Sequence, residues 1–231
     1  MVDDAIRPDV WTELKWLNGQ LGIVRDLDVA IECIAANSDA EPASIAQLQS
    51  WKEKRAESHR LLARALQSAR YRRLIEQTAS WVESGPWSTK RGRETIRLRA
   101  CPLAEHAEQR LGQWEKTLLK KSRKLGELSV EKRHRLRLLN KRLTYSIESL
   151  EDLFSDKSLA KQKAALKLLR KAQRCLGQLN DDARGRALAE SLHGDGSTAS
   201  FHFLGSKREK QLLHAAAAAY KQLHKSKPLR V

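Results

Sequence analysis

A 231-residue chain with 44 Lys and Arg against 28 Asp and Glu carries a formal charge of +16, far from the balance of most soluble chains. That length holds one large domain or two small ones, and charge of this size points to an anionic partner: nucleic acid, a membrane surface or a phosphate polymer. Cys33, Cys101 and Cys175 lie far apart and form no CxxC pair, which argues against a disulfide framework or a zinc site and fits buried thiols in a reducing compartment.

The opening MVDDAIRPDV is acidic and lacks the apolar run of a leader, and no window approaches 18 uninterrupted apolar residues. The expected location is the cytoplasm, with no membrane span. Charge is segregated: residues 1–41 carry a net −6, leaving +22 on residues 42–231. Gly and Pro are few, Ala, Leu, Lys, Arg, Glu and Gln dominate, and strand-like alternation is absent, so the chain reads as all-α, built of helical bundles.

In chain order, Glu13–Ile31 (ELKWLNGQLGIVRDLDVAI) reads as a helix that Gly22 ends in the left-handed conformation, with Asp26 capping the next helix and Arg25 beside the corner. Asn37–Ser44 reads as a loop in which Ser44 caps the helix of IAQLQSWKEKRAESHRLLARALQSA. A second loop spans Ser84–Gly92, and KRGRETIRLR then supplies Lys90, Arg91, Arg93, Arg97 and Arg99. Pro102 opens a helix running from about Leu103 to Leu125. Its Lys116, Lys120 and Lys121, with Arg123 and Lys124, read as a looser, solvated cluster. The tryptophans fall mostly at core spacing.

Residues 131–154, EKRHRLRLLNKRLTYSIESLEDLF, follow Ser129, which with Lys132 forms half of a capping box. At about 100° per residue, Leu136, Leu139, Leu143, Ile147 and Leu150 form an apolar stripe. His134, Arg137, Lys141 and Tyr145 line the opposite face, with Arg135 and Arg142 on its shoulder. Such a row of cations suits a polyanion, and a solvated charged face is the alternative. The next helix repeats the pattern: Lys163, Lys167, Arg170 and Arg174 share a face, and residues 157–174 hold seven basic and no acidic side chains. Like charges at this spacing repel by a few tenths of a kcal/mol per pair, a cost that a bound anion relieves.

Leu168–Leu188 repeats Glu13–Ile31 at an offset of 155, with Leu176-Gly177 on Leu21-Gly22, Asp181 on Asp26 and Arg170 on Lys15. At this offset the counterpart of the basic helix would precede residue 1, so the first repeat is expected to lack its leading helix. Gly194–Ser200 reads as a third loop, and Lys207, Arg208 and Lys210 follow Gly205 near a helix start whose N–H groups suit an anion. No HExxH, GxxxxGK[ST], GxSxG or EF-hand pattern appears, the seven histidines lack ligand spacing, and the Asp26/Asp28 and Asp181/Asp182 pairs read as caps. The expectation is a non-enzyme with no cofactor and no metal.

HRLRLLNKRLTYSIE, followed about thirty residues later by LGQLND and preceded by LGIVRDLDV, resembles the CHAD family of helical domains built around a characteristic histidine. The terminal FHFLGSKREKQLLHAAAAAYKQLHK resembles that family's closing helix. The resemblance implies one domain over 1–231, made of two antiparallel bundles related by pseudo-twofold symmetry (1–90, lacking its leading helix, and 91–231), with a basic cleft that binds inorganic polyphosphate. It places His134, Arg137, Lys141, Arg142 and Tyr145 in the motif helix and Arg25 before the first aspartate; Thr144 stands where a further arginine is usual. With the basic rows added, the expected polyphosphate-binding set is Arg25, Arg97, Arg99, His134, Arg137, Lys141, Arg142, Lys163, Lys167, Arg170, Arg174 and Arg208. The expected location is the cytoplasm, in association with polyphosphate granules. RNA or DNA binding stands second, beside a role as accessory module to a polyphosphate- or triphosphate-processing enzyme.

Overall fold

The structure is a computed structural model that describes residues 8–37, 42–85, 91–154, 156–193 and 204–226. These residues are helical almost throughout: α1 (Pro8–Asn37), α2 (Pro42–Gln67), α3 (Ala69–Ser84), α4 (Arg93–Ala100), α5 (Leu103–Ser122), α6 (Val130–Ser149), α7 (Asp156–His193) and α8 (Ser206–Lys225), with 3₁₀ turns at Leu125–Glu127 and Glu151–Leu153. Among the described residues no helix is long and apolar enough to cross a membrane.

Several boundaries follow from capping chemistry. Pro8 and Pro42 open α1 and α2, where a missing N–H costs nothing. The α2 start overturns the expected cap at Ser44, which lies inside the helix. Ser68, with extended backbone, accepts from the Tyr71 N–H at 3.2 Å and separates α2 from α3. Ser129 caps α6 by accepting from the Lys132 N–H at 3.4 Å. α5 begins at Leu103 after Pro102, as expected, and ends at Ser122.

The expected Leu-Gly corners do not form. α1 runs unbroken through Gly22 and α7 through Gly177, neither glycine having a left-handed φ. Burial decides this. Val24 and Leu27 follow Gly22 into the core, and Leu176 and Leu179 flank Gly177 in the core, so ending either helix would expose apolar surface and unpair its backbone. Asp26 and Asp181 are therefore mid-helix residues, not caps. The neighbouring Asp182 is also mid-helix and buried, and it accepts from the Leu204 N–H at 2.9 Å, tying the segment before α8 to α7.

The chain divides into two compact units, residues 1–95 with 185–203 and residues 96–184 with 204–231. In the first, Trp51 of α2 is fully buried against Leu27 and Ala30 of α1 and Ala189 of α7. Of the other tryptophans, Trp114 packs against the core of the second unit, as expected, while Trp11 departs from a core role. Trp11 is half-exposed under the Lys15 ammonium, Trp16 stacks with Arg70, and Trp81 and Trp114 are half-buried; Trp87 lies outside the described residues.

Ion pairs join the three helices of this unit. Arg55 and His59 of α2 reach Asp28 of α1, and Arg70 of α3 holds Glu13 of α1, with Nη2 3.1 Å from Oε1. The Arg70 hydrogen bond holds Glu13 below its usual range. Burial alone would raise Asp28, but hydrogen bonds from Arg55 and His59 outweigh it and the carboxyl is lowered. Lowered carboxyls stabilise the fold above their unfolded pKa values, near 4, and that contribution disappears as pH falls through the lower folded values. An acid titration of chemical stability should accordingly show a loss beginning below about pH 4. Asp28→Asn should reduce that slope while costing about 1 kcal/mol or less at neutral pH; an unchanged slope would show that Asp28 does not contribute.

The second unit has the larger core. Leu111 and Leu118 of α5, Leu136, Leu143 and Ile147 of α6, Leu166, Leu169 and Leu176 of α7 and Leu212, Ala216 and Leu223 of α8 form one cluster. Among the polar residues buried with it are Asn140, Gln162 and Tyr220. Asn140 is 0% exposed, donates from Nδ2 to the Leu169 carbonyl at 3.1 Å and accepts the Tyr220 hydroxyl at 3.1 Å, linking α6 to α7 and α8. Buried Gln162 donates to the Ile147 carbonyl at 3.3 Å. Burial pushes the Tyr220 hydroxyl well above its usual pKa, so it stays protonated and available as the donor.

Candidate functional site

The expected apolar stripe of α6 faces the core: Leu136, Leu143 and Ile147 are buried, and Leu139 and Leu150 lie against the cluster. Rotation about the helix axis is further set by Asn140 and by the Arg133–Glu209 pair, 3.0 Å, which ties α6 to α8. With the helix held this way, His134, Arg137 and Lys141 lie along the flank of α6 next to α7. Two contacts define that flank and an antiparallel register. His134 Nδ1 is 2.6 Å from the Asn180 Oδ1, and the Arg170 guanidinium holds Glu148 at 2.8 and 3.1 Å.

The strip between the two helices is polar and cationic. Asn180 Nδ2 donates to Asp181 Oδ1 at 3.4 Å, which leaves the amide oxygen for His134; Nδ1 then carries the imidazole proton and Nε2 is the second ring nitrogen available to a ligand. Arg137 is half-buried, and its Nε is shielded from solvent without a hydrogen-bond partner. The Gln173 Oε1 is in the same condition. Buried polar atoms are nearly always paired, so an orphaned guanidinium donor beside a row of cations needs an acceptor from elsewhere. Lys163, Lys167, Arg170 and Arg174 are exposed along the adjoining face of α7, and Arg208, in the first turn of α8, reaches Gln178 of α7 at 3.4 Å.

The other expected residues are placed differently. Arg142 stands on the opposite flank of α6, with its guanidinium over the Trp114 ring of α5, 5.7 Å from the centroid. Arg25 is exposed within α1 of the first unit, 3.7 Å from Asp26. Arg97 is exposed on α4, and the Arg99 side chain lies outside the described residues. Tyr145, half-exposed, lies beneath the Lys141 ammonium at 5.4 Å. Two groups of the strip, Asn180 and Gln173, were missing from the expected set. Asn180 had a signal, since the 155-residue offset places it on Arg25; Gln173 had none. Among the described residues, no group of three or more His, Cys, Asp or Glu is disposed to hold a metal ion.

A model of the CHAD domain family matches residues 1–190. The chain belongs to the CHAD family. Its fold also matches the crystal structure of the CHAD domain from the plant Ricinus communis, with a TM-score of 0.75 and 24% identity over 98% of this chain and 76% of that one. No curated protein matches the chain significantly. CHAD domains are a family known for binding inorganic polyphosphate. The helix whose residues carry the resemblance is α6, and Thr144 within it has a structural role. Thr144 is 2% exposed and donates its hydroxyl to the Asn140 carbonyl at 2.9 Å. In this CHAD domain that position belongs to the core, not to the cationic strip.

Proposed function

We propose that this CHAD domain binds inorganic polyphosphate without transforming it, along the α6–α7 strip of the second unit. The observation that carries the reading is the half-buried Arg137, with its unpartnered Nε, in a strip lined by His134, Lys141, Arg174 and the Lys163–Lys167 row. Arginine forks suit successive phosphoryl oxygens and lysines act as point charges, while His134 and Asn180 add directional donors. Arg170 joins by exchanging Glu148 for phosphate. Arg208, which reaches Gln178 of α7 from the first turn of α8, extends the strip.

Such binding is driven by release of counterions from the polyanion. Affinity for long-chain polyphosphate, measured by fluorescence anisotropy, should fall about 100-fold between roughly 50 and 200 mM salt, as expected for about five neutralised phosphates. A flat profile would overturn the electrostatic mechanism. At one fixed salt concentration polyphosphate should displace a labelled single-stranded RNA; the reverse preference would favour nucleic acid, for which the exposed Tyr145 beside Lys141 is suited to base stacking. Orthophosphate release on incubation would show that the chain is an enzyme.

A further inference from the structure

We propose a second binding site in this protein, for a small amphiphilic anion, in the cavity between the C-terminal half of α5 and the end of α8. Gly112, Glu115, Lys116, Leu119, Lys120 and Arg123 recur at intervals of three and four, so they share one face of α5. Opposite them lie Leu223, His224 and Ser226 at the end of α8. Together they line a cavity of about 520 Å³, within the range of roughly 300–1,000 Å³ in which small-molecule sites fall. All of these residues belong to the second unit.

The chemistry is divided by depth. Leu223 is fully buried and Leu119 packs against the same core cluster, giving an apolar floor. Gly112 adds space, because a Cβ there would meet nothing within 4 Å. Lys116, Lys120, Arg123 and His224 are all exposed and form a cationic rim. Glu115, 5% exposed, places a carboxylate at the inner wall, which disfavours an anionic group at depth and leaves the rim as its place. A polyphosphate chain is charged at every residue and gains nothing from leucines. The complementary ligand has a compact acyl or aryl body for the floor and one carboxylate or phosphate group for the rim. These basic residues were expected to be a solvated cluster; the end of α8 lying opposite them makes them a cavity rim, a pairing of segments about a hundred residues apart.

Amide and imidazole NMR spectra of the full chain, titrated with octyl phosphate, test the proposal. Saturable shifts should centre on Gly112, Leu119, Leu223 and His224. Inorganic phosphate, lacking the apolar body, and octyltrimethylammonium, carrying the wrong charge, should each bind at least about tenfold more weakly. Octanoate should bind at the same site, and its affinity relative to octyl phosphate distinguishes a carboxylate from a phosphate head. Gly112→Leu, which fills the space and favours the helix, should weaken octyl phosphate about tenfold or more. Lys116→Ala/Arg123→Ala should do the same while leaving polyphosphate affinity within about twofold, so that this site and the α6–α7 strip fail or stand separately. Equal binding of inorganic phosphate would reduce the cavity to a charged patch, and equal binding of octyltrimethylammonium to a greasy one. Shifts elsewhere than around Gly112, or normal binding by folded variants, would likewise overturn the proposal.

Discussion

Double substitution of Arg137→Ala and Lys141→Ala is expected to weaken polyphosphate binding by two orders of magnitude or more, whereas Lys121→Ala/Lys124→Ala changes it by only a few fold. Each pair removes the same charge, so a diffuse field would respond equally to both. The local chemistry differs. Arg137 and Lys141 are half-buried on α6, and the Arg137 Nε has no hydrogen-bond partner within the protein. Lys121 is exposed on α5, and Lys124 is exposed and already paired with Glu127 at 3.3 Å. A hydrogen bond to a charged group is worth about 1.5–3 kcal/mol, so two of them give about 3 kcal/mol or more. The fold should survive, because partly exposed cations contribute little to stability and Arg137 leaves no partner behind. Equal losses from the two pairs, with both variants helical by circular dichroism, would mean that the strip is a solvated face.

A comparable effect, on stability instead of binding, is expected at Asn140. Its side chain bridges the Leu169 carbonyl and the Tyr220 hydroxyl inside the leucine core, and its carbonyl accepts from Thr144. Asn140→Ala deletes both side-chain bonds, strands a buried hydroxyl and leaves a small cavity. At about 1–3 kcal/mol for each stranded polar group, the loss should be about 3 kcal/mol in urea denaturation. Tyr220→Phe should cost less, about 1–2 kcal/mol, since it removes the donor and strands only the Asn140 oxygen. The two changes should be strongly non-additive in a double-mutant cycle, because each removes the same bond. Additive costs would show that the bond does not form in solution. Asn140→Ala should also weaken polyphosphate binding, although it touches no ligand, because it frees α6 to rotate and move His134, Arg137 and Lys141 off the α7 flank.

The helical class, the position of α6, its leucine stripe and its Ser129 cap were all legible in the sequence, as was the basic face of α7. Each is local: a 3.6-residue period, a capping residue or a row of cations is complete within twenty residues, and it keeps its meaning wherever the helix packs. The family was legible for the same reason, since its motifs are short and ordered. What tertiary structure decided were the questions that local signals answer ambiguously. Gly22 and Gly177 look like helix ends, but Leu27 on one side and Leu176 with Leu179 on the other are buried, and burial carries both helices straight through. Asn140 and Thr144 look like surface residues of a charged helix until α7 and α8 enclose them. Arg142 and Arg137 are five residues apart and chemically alike, yet one is exposed over Trp114 and the other is half-buried with an unpartnered Nε. The His134–Asn180 contact and the cavity between α5 and α8 each join segments dozens of residues apart. Which cations share a surface is set by the rotation of each helix, and that rotation is fixed by core contacts with neighbours that no single stretch of sequence contains.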